Sequence, residues 1–86
     1  MLSRYNKLST YIATFFSHFG AIRFRRSLLG QGISCQLMPV PRSVSSSCGT
    51  CVQFEAKVEE QLINSADIEA LFIRTNRGFE KVLSNL

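Results

Sequence analysis

Two of the three cysteines in this chain fall in one short stretch, VPRSVSSSCGTC, running from Val40 to Cys51. The stretch also holds an arginine, Arg42, three consecutive serines and no acidic residue. Cys48 follows Ser46 and Ser47 and precedes Gly49, whose freedom to take left-handed torsions lets successive N–H groups form an anion-binding concavity. With Arg42 near, a setting of that kind favours the thiolate, the form in which cysteine attacks. The plainer reading of the same residues is a polar hairpin tip with an incidental thiol.

Cys48 and Cys51 together make a C-x-x-C pair. Such a pair marks a redox site where it opens a helix, and half of a zinc site where a second pair of ligands exists. Here the residues after Cys51 continue as strand, and three residues of strand separate α-carbons by ~10 Å, beyond the ~7 Å that a disulfide spans. A thiol oxidoreductase using Cys48 and Cys51 therefore requires Cys48 and Gly49 to belong to the turn. Zinc needs four ligands, and the chain offers three cysteines and His18 without a second spaced pair, so no metal is expected. Cys35 shares strand parity with Ile33 and Leu37 and reads as a small core hydrophobe. His18 reads as a surface or capping residue.

The elements that position this loop follow from periodicity. Thr10–Phe16, TYIATFF, is aromatic and β-branched with no interior Gly or Pro, as in a buried central strand. In Ser17–Gly32, Ala21, Phe24 and Leu28 lie at i, i+3 and i+7, which predicts an amphipathic helix capped by Ser17 and closed at Gly30 or Gly32. Arg25 falls inside the apolar arc and must snorkel or find a partner. Ile33–Pro41 alternates until it meets Pro39 and Pro41, and missing amide donors place that strand at a sheet edge. Thr50–Glu55 alternates again and completes a hairpin with a long tip. Ala56–Asp67 carries helical spacing, with Glu59 and Glu60 near its start. Ile68–Arg74 returns to strand. Phe79, Val82, Leu83 and Leu86, at i, i+3, i+4 and i+7, predict an amphipathic helical tail after the turn TNRG.

The expected fold class is α+β: a ferredoxin-like β-α-β-β-α-β sandwich, its four-stranded sheet carrying two helices on one face. Residues 1–9 read as a basic leader, 10–76 as the domain and 77–86 as the tail. The tail or a second copy of the chain would cover the open sheet face.

With 86 residues, 45% of them hydrophobic and 19% charged, the chain has the composition of one small folded domain. Its net charge of +4 is unevenly placed, because every acid lies at or after Glu55. The basic first half suits anionic partners, yet no base-stacking motif accompanies it, so no nucleic acid is expected. No run approaches the ~18 apolar residues of a membrane span, and no secretory signal is present. The odd cysteine count argues against a secreted disulfide framework and points to a reducing cytoplasm. The first 32 residues share with transit peptides their arginines, serines and lack of acids, but removing them would delete a strand and a helix.

Leu37–Gly49, LMPVPRSVSSSCG, following YIATF and a helix that ends near Gly32, resembles the family of small bacterial proteins named putative selenium/sulfur carrier-like. The most specific part is P-x-P-R, then two or more serines, then Cys-Gly, and the likeness spans about residues 10–74. The resemblance implies a compact α/β domain in which Cys48 carries sulfur or selenium, with Arg42, Ser46, Ser47 and Gly49 as its loop. Cys51 departs from the pattern, standing where a small apolar residue is usual, and leaves open whether it resolves a persulfide on Cys48. The function expected is a carrier rather than an enzyme: persulfide or selenopersulfide held on Cys48, received from a donor protein and passed to an acceptor, with no cofactor beyond that covalent cargo. The competing expectations are a non-catalytic binding or assembly module and the Cys48/Cys51 oxidoreductase.

Overall fold

A computed structural model of the chain describes residues 8–44, 46–56 and 66–85. The first strand, β1 (Ser9–Phe15), is buried from Tyr11 onward because strands pair with it on both sides. Ser17 then turns the chain: its backbone is extended and its Oγ accepts from the Gly20 N–H at 3.2 Å, capping α1 (His18–Gly30). Gly20 is required by space, since a Cβ there would lie 2.9 Å from Cβ of Asp67. Asp67 also binds Arg23 of the helix through both carboxylate oxygens, at 2.8 and 3.0 Å. The stripe Gly20, Ala21, Phe24 and Leu28 is the buried face of α1, while Arg25 is exposed. The helix closes with the Ile33 N–H donating to the Leu28 carbonyl at 2.9 Å and Gly32 at φ +77°.

Four strands follow: β2 (Cys35–Pro39), β3 (Thr50–Ala56), β4 (Ile68–Thr75) and β5 (Gly78–Ser84). They form one antiparallel sheet with β1, in the order β2-β3-β1-β4-β5. β2 is an edge strand, which suits a segment ending in a proline that has no N–H to give. Because β1 and β2 both run antiparallel to β3, they are parallel to each other, and α1 makes the crossover between them.

The two sheet faces differ. Toward α1 lie Tyr11, Ala13, Phe15, Val52, Phe54, Ile68 and Leu71, packed on Phe24 and Leu28. Phe54 is central there, with ring centroids of Tyr11 at 5.5 Å and Phe24 at 5.6 Å. The opposite face holds a smaller cluster of Ile12, Val44, Cys51, Ala70 and Phe72.

The ferredoxin-like sandwich is therefore corrected: the sheet has five strands rather than four, and among the described residues there is one helix. The second helix expected over Ala56–Asp67 meets β3 at Ala56, and residues 57–65 lie outside the described residues, as do residues 1–7 of the leader. The tail is not a helix. After the two-residue turn Asn76–Arg77, with Gly78 at φ +114°, it folds back as β5 on the free edge of β4. A helix of about eight residues is marginal in water, whereas a strand finds a ready row of partners on β4. The register shift between Leu71 and Phe72 leaves Val82 as an extra residue in β5, so Phe79 and Leu83 pack on opposite faces. That bulge hides the strand's alternation and leaves a spacing that imitates a helix.

Candidate functional site

The chain between β2 and β3 is a long loop pinned at three points. At its base the Val40 N–H donates to the Gly49 carbonyl at 3.1 Å. At its far limb the Val44 N–H donates to the Pro41 carbonyl at 3.0 Å, and the Val44 side chain, 7% exposed, is buried in the cluster on the face away from α1. The loop thus covers part of the sheet face that the sequence had assigned to the tail or a second copy. Gly49 has φ +75° with nothing within 4 Å of a notional Cβ, so the demand for glycine there comes from torsion, not space.

The third point is Glu69. Between Thr14 and Phe15 the pairing of β1 on β4 jumps from Ala70 to Ile68, which leaves Glu69 as the inserted residue of a β-bulge. The bulge turns its side chain onto the loop face, beside Ala70 rather than into the aromatic core. There Glu69 is 5% exposed. Its Oε1 accepts from the Ser47 N–H at 3.1 Å, and its Oε2 accepts a short hydrogen bond from the Ser47 hydroxyl. Burial alone would push the carboxyl up, but the Ser47 side chain and backbone, helped by the Ser46 and Thr14 hydroxyls, outweigh it and hold Glu69 below its ordinary value. Ser46 Oγ is itself buried beside this carboxylate.

Within the serine-glycine run, Ser47 gives both its N–H and its hydroxyl to a carboxylate of the protein itself, Glu69. The loop is free of acids in sequence but not in space. Sequence reasoning missed Glu69, although a lone acid inside the otherwise apolar strand IEALFI was a signal: a buried carboxylate must be hydrogen-bonded.

The three thiols are free and differ in setting. Cys51 is fully buried in the loop-face cluster with its Sγ 3.7 Å from the Pro39 carbonyl. Burial, reinforced by Cys48, pushes its thiol up to about 11. Cys35 is half-buried on β2 against the α1-side cluster, its Sγ 3.8 Å from the Arg25 carbonyl, and burial raises its thiol against a small opposing effect of Arg25. Cys48 is half-buried in the loop, packed at the margin of the α1-side cluster, with its thiol donating to the Thr50 carbonyl at 3.4 Å. Cys48 and Cys51 thus pack into clusters on opposite faces of the sheet.

Of the residues singled out in the sequence, Ser46 and Ser47 meet Glu69, Gly49 closes the base of the loop on Val40, Cys48 packs at the margin of the α1-side cluster, and Arg42 is exposed in its turn. Among the described residues no group of three His, Cys, Asp or Glu side chains is placed to hold a metal, and no helix is long and apolar enough to cross a membrane.

Residues 10–73 match the model of the family described as Putative Se/S carrier protein-like, and the chain belongs to that family. The match includes α1, β2, the loop and β3, and most of β1 and β4. No curated protein and no solved structure matches the chain.

Proposed function

We propose that this member of the Putative Se/S carrier protein-like family carries sulfur or selenium as a persulfide or selenopersulfide on Cys48. The observation that supports this reading is the tie between Ser47 and Glu69, which fixes the residue next to Cys48 through both its backbone and its side chain. A carrier thiol must be presented to two different proteins in the same geometry, and a loop pinned onto the sheet by Val44, Gly49 and Glu69 supplies that constancy.

Loading is a two-electron transfer that needs no external oxidant. The Cys48 thiolate attacks the outer sulfur of a donor's persulfide, the donor's S–S bond breaks, and the donor leaves as its thiolate. The same step run toward an acceptor thiol unloads Cys48. Selenium transfers alike when the outer atom of the donor is selenium. Cys51, fully buried and with a thiol pushed up to about 11, stays out of this exchange. The exposed Arg42 and the excess of bases before Glu55 favour donor and acceptor proteins with acidic surfaces.

Incubation with a persulfide donor, followed by peptide-level mass spectrometry, tests the assignment. The added sulfur is expected on the Cys48 peptide and absent in Cys48→Ser, and Cys51→Ala should load normally. Sulfur found on Cys51 or Cys35, or retained in Cys48→Ser, would contradict it and leave the loop as a binding element.

A further inference from the structure

The Glu69 bulge is held from both edges of β4. On the β1 side the pairing jumps from Ala70 to Ile68, and the Thr14 hydroxyl donates to the Ala70 carbonyl at 3.3 Å. On the β5 side Asn85, just past the end of that strand, meets the bulge itself. Its N–H donates to the Glu69 carbonyl at 2.9 Å and its Nδ2 to the Ile68 carbonyl at 3.0 Å. We propose that Asn85 is a positioning residue for the Cys48 loop, acting through the Glu69 bulge and Ser47.

Three steps carry this. First, consecutive carbonyls of a regular strand point to opposite edges, so one residue reaches both only where the alternation is broken. Asn85 does so at Ile68 and Glu69. An inserted residue disrupts the ladder, and its backbone groups must be satisfied in another way; an asparagine adds side-chain donors to its own N–H and so serves two carbonyls at once. Second, Glu69 is gripped at both ends, by Asn85 on its carbonyl and by Ser47 on its carboxylate. With the backbone fixed, the carboxylate has a fixed origin, and at 5% exposure it cannot swing away without giving up donors that water does not replace. Third, Ser47 directly precedes Cys48 and is bound through its backbone as well as its side chain, so a shift at Glu69 reaches the peptide that bears the thiol. Asn85 lies beyond residues 10–73 that match the family model, so the fixing of this loop draws on a segment outside the matched part.

The hydrogen-bond path from Asn85 to Ser47 does not depend on Cys48 carrying anything. Only its bearing on sulfur or selenium transfer rests on the carrier reading.

Asn85→Ala keeps the backbone N–H and removes the Nδ2 donor. Two readouts test it: titration of the Glu69 carboxyl by carbon-detected NMR, and the rate of Cys48 alkylation by iodoacetamide. The Ser47 donors hold Glu69 below its ordinary value, so a loosened bulge should move the titration up toward that of an ordinary carboxylate. Cys48 should react roughly fivefold faster while Cys51 stays slow, since losing one hydrogen bond raises the population of a locally opened loop on that scale. Ile33→Ala, which thins the packing on the α1-side cluster, should lower the urea midpoint and move neither readout. In a Glu69→Ala background Asn85→Ala should add nothing to the Cys48 rate, because the two residues act in series. An unmoved Glu69 titration, an unchanged Cys48 rate, equal shifts in Ile33→Ala, or an acceleration that persists undiminished without Glu69 would overturn the proposal. Persulfide loading of the same proteins keeps the two readings apart: a parent that fails to load contradicts the carrier and leaves the Asn85 path standing.

Discussion

The two faces of the sheet solve burial in different ways. Toward α1 the packing is apolar and aromatic, with Phe54 stacked on Tyr11 and met edge-on by Phe24, and burial alone accounts for its order. Toward the loop the cluster is small, and it is completed by a carboxylate that the loop's own donors must satisfy. An apolar face tolerates shape-conserving change, whereas a face closed by a hydrogen-bonded acid fixes one loop geometry and is sensitive to the loss of either partner. The candidate carrier thiol sits next to the second kind of closure.

The largest effect is expected from breaking the first face. Phe54→Ala removes a fully buried ring and should cost about 3–5 kcal/mol, read as a lower urea midpoint for the whole domain. Glu69→Ala strikes the second face. It leaves the Ser47 donors without their acceptor and should cost about 1–3 kcal/mol. Its signature is local: faster hydrogen exchange at residues 46–50 with protection along α1 retained. Loss of protection spread evenly over both faces would erase the distinction between them.

Smaller still is Val44→Ala, which removes two methyl-sized groups from a buried side chain and should cost roughly 1–2 kcal/mol. It should raise Cys48 alkylation and leave Cys51 slow.

Acid titration sharpens the comparison. The folded Glu69 carboxyl is held below its unfolded value, so its ionisation stabilises the fold above the unfolded value, and that contribution is lost as pH falls through the folded one. Glu69→Gln should therefore flatten the acid limb of the stability profile, and an unchanged limb would show that the Ser47 tie contributes nothing there. The least effect is expected from Arg23→Ala. Its exposed pair with Asp67 is the kind that contributes little, and urea melts of parent and variant should nearly superimpose.

β1, α1, the proline-ended edge strand and the β2–β3 hairpin were legible because each keeps one period along its length and ends in residues that forbid continuation. What escaped was set by irregular pairing. The extra residue at Glu69 breaks the alternation of β4, so nothing in the local pattern aimed that side chain at Ser47. The extra residue at Val82 does the same in β5 and turned a strand into an apparent helix. A bulge is chosen by the strand it pairs with, and that partner is distant in sequence. The loop's serines, cysteine and glycine stand out in the sequence because their signal is chemical and contiguous; the acid that binds Ser47 does not, being 22 residues away from it.

The most direct test of the central claim is the intact mass of the protein purified from its native host without reductant. A carrier on Cys48 predicts a population heavier by one sulfur or one selenium atom, which returns to the bare mass on reduction and is missing from Cys48→Ser. A single unmodified mass for the parent under those conditions, or an adduct that persists in Cys48→Ser, would contradict it.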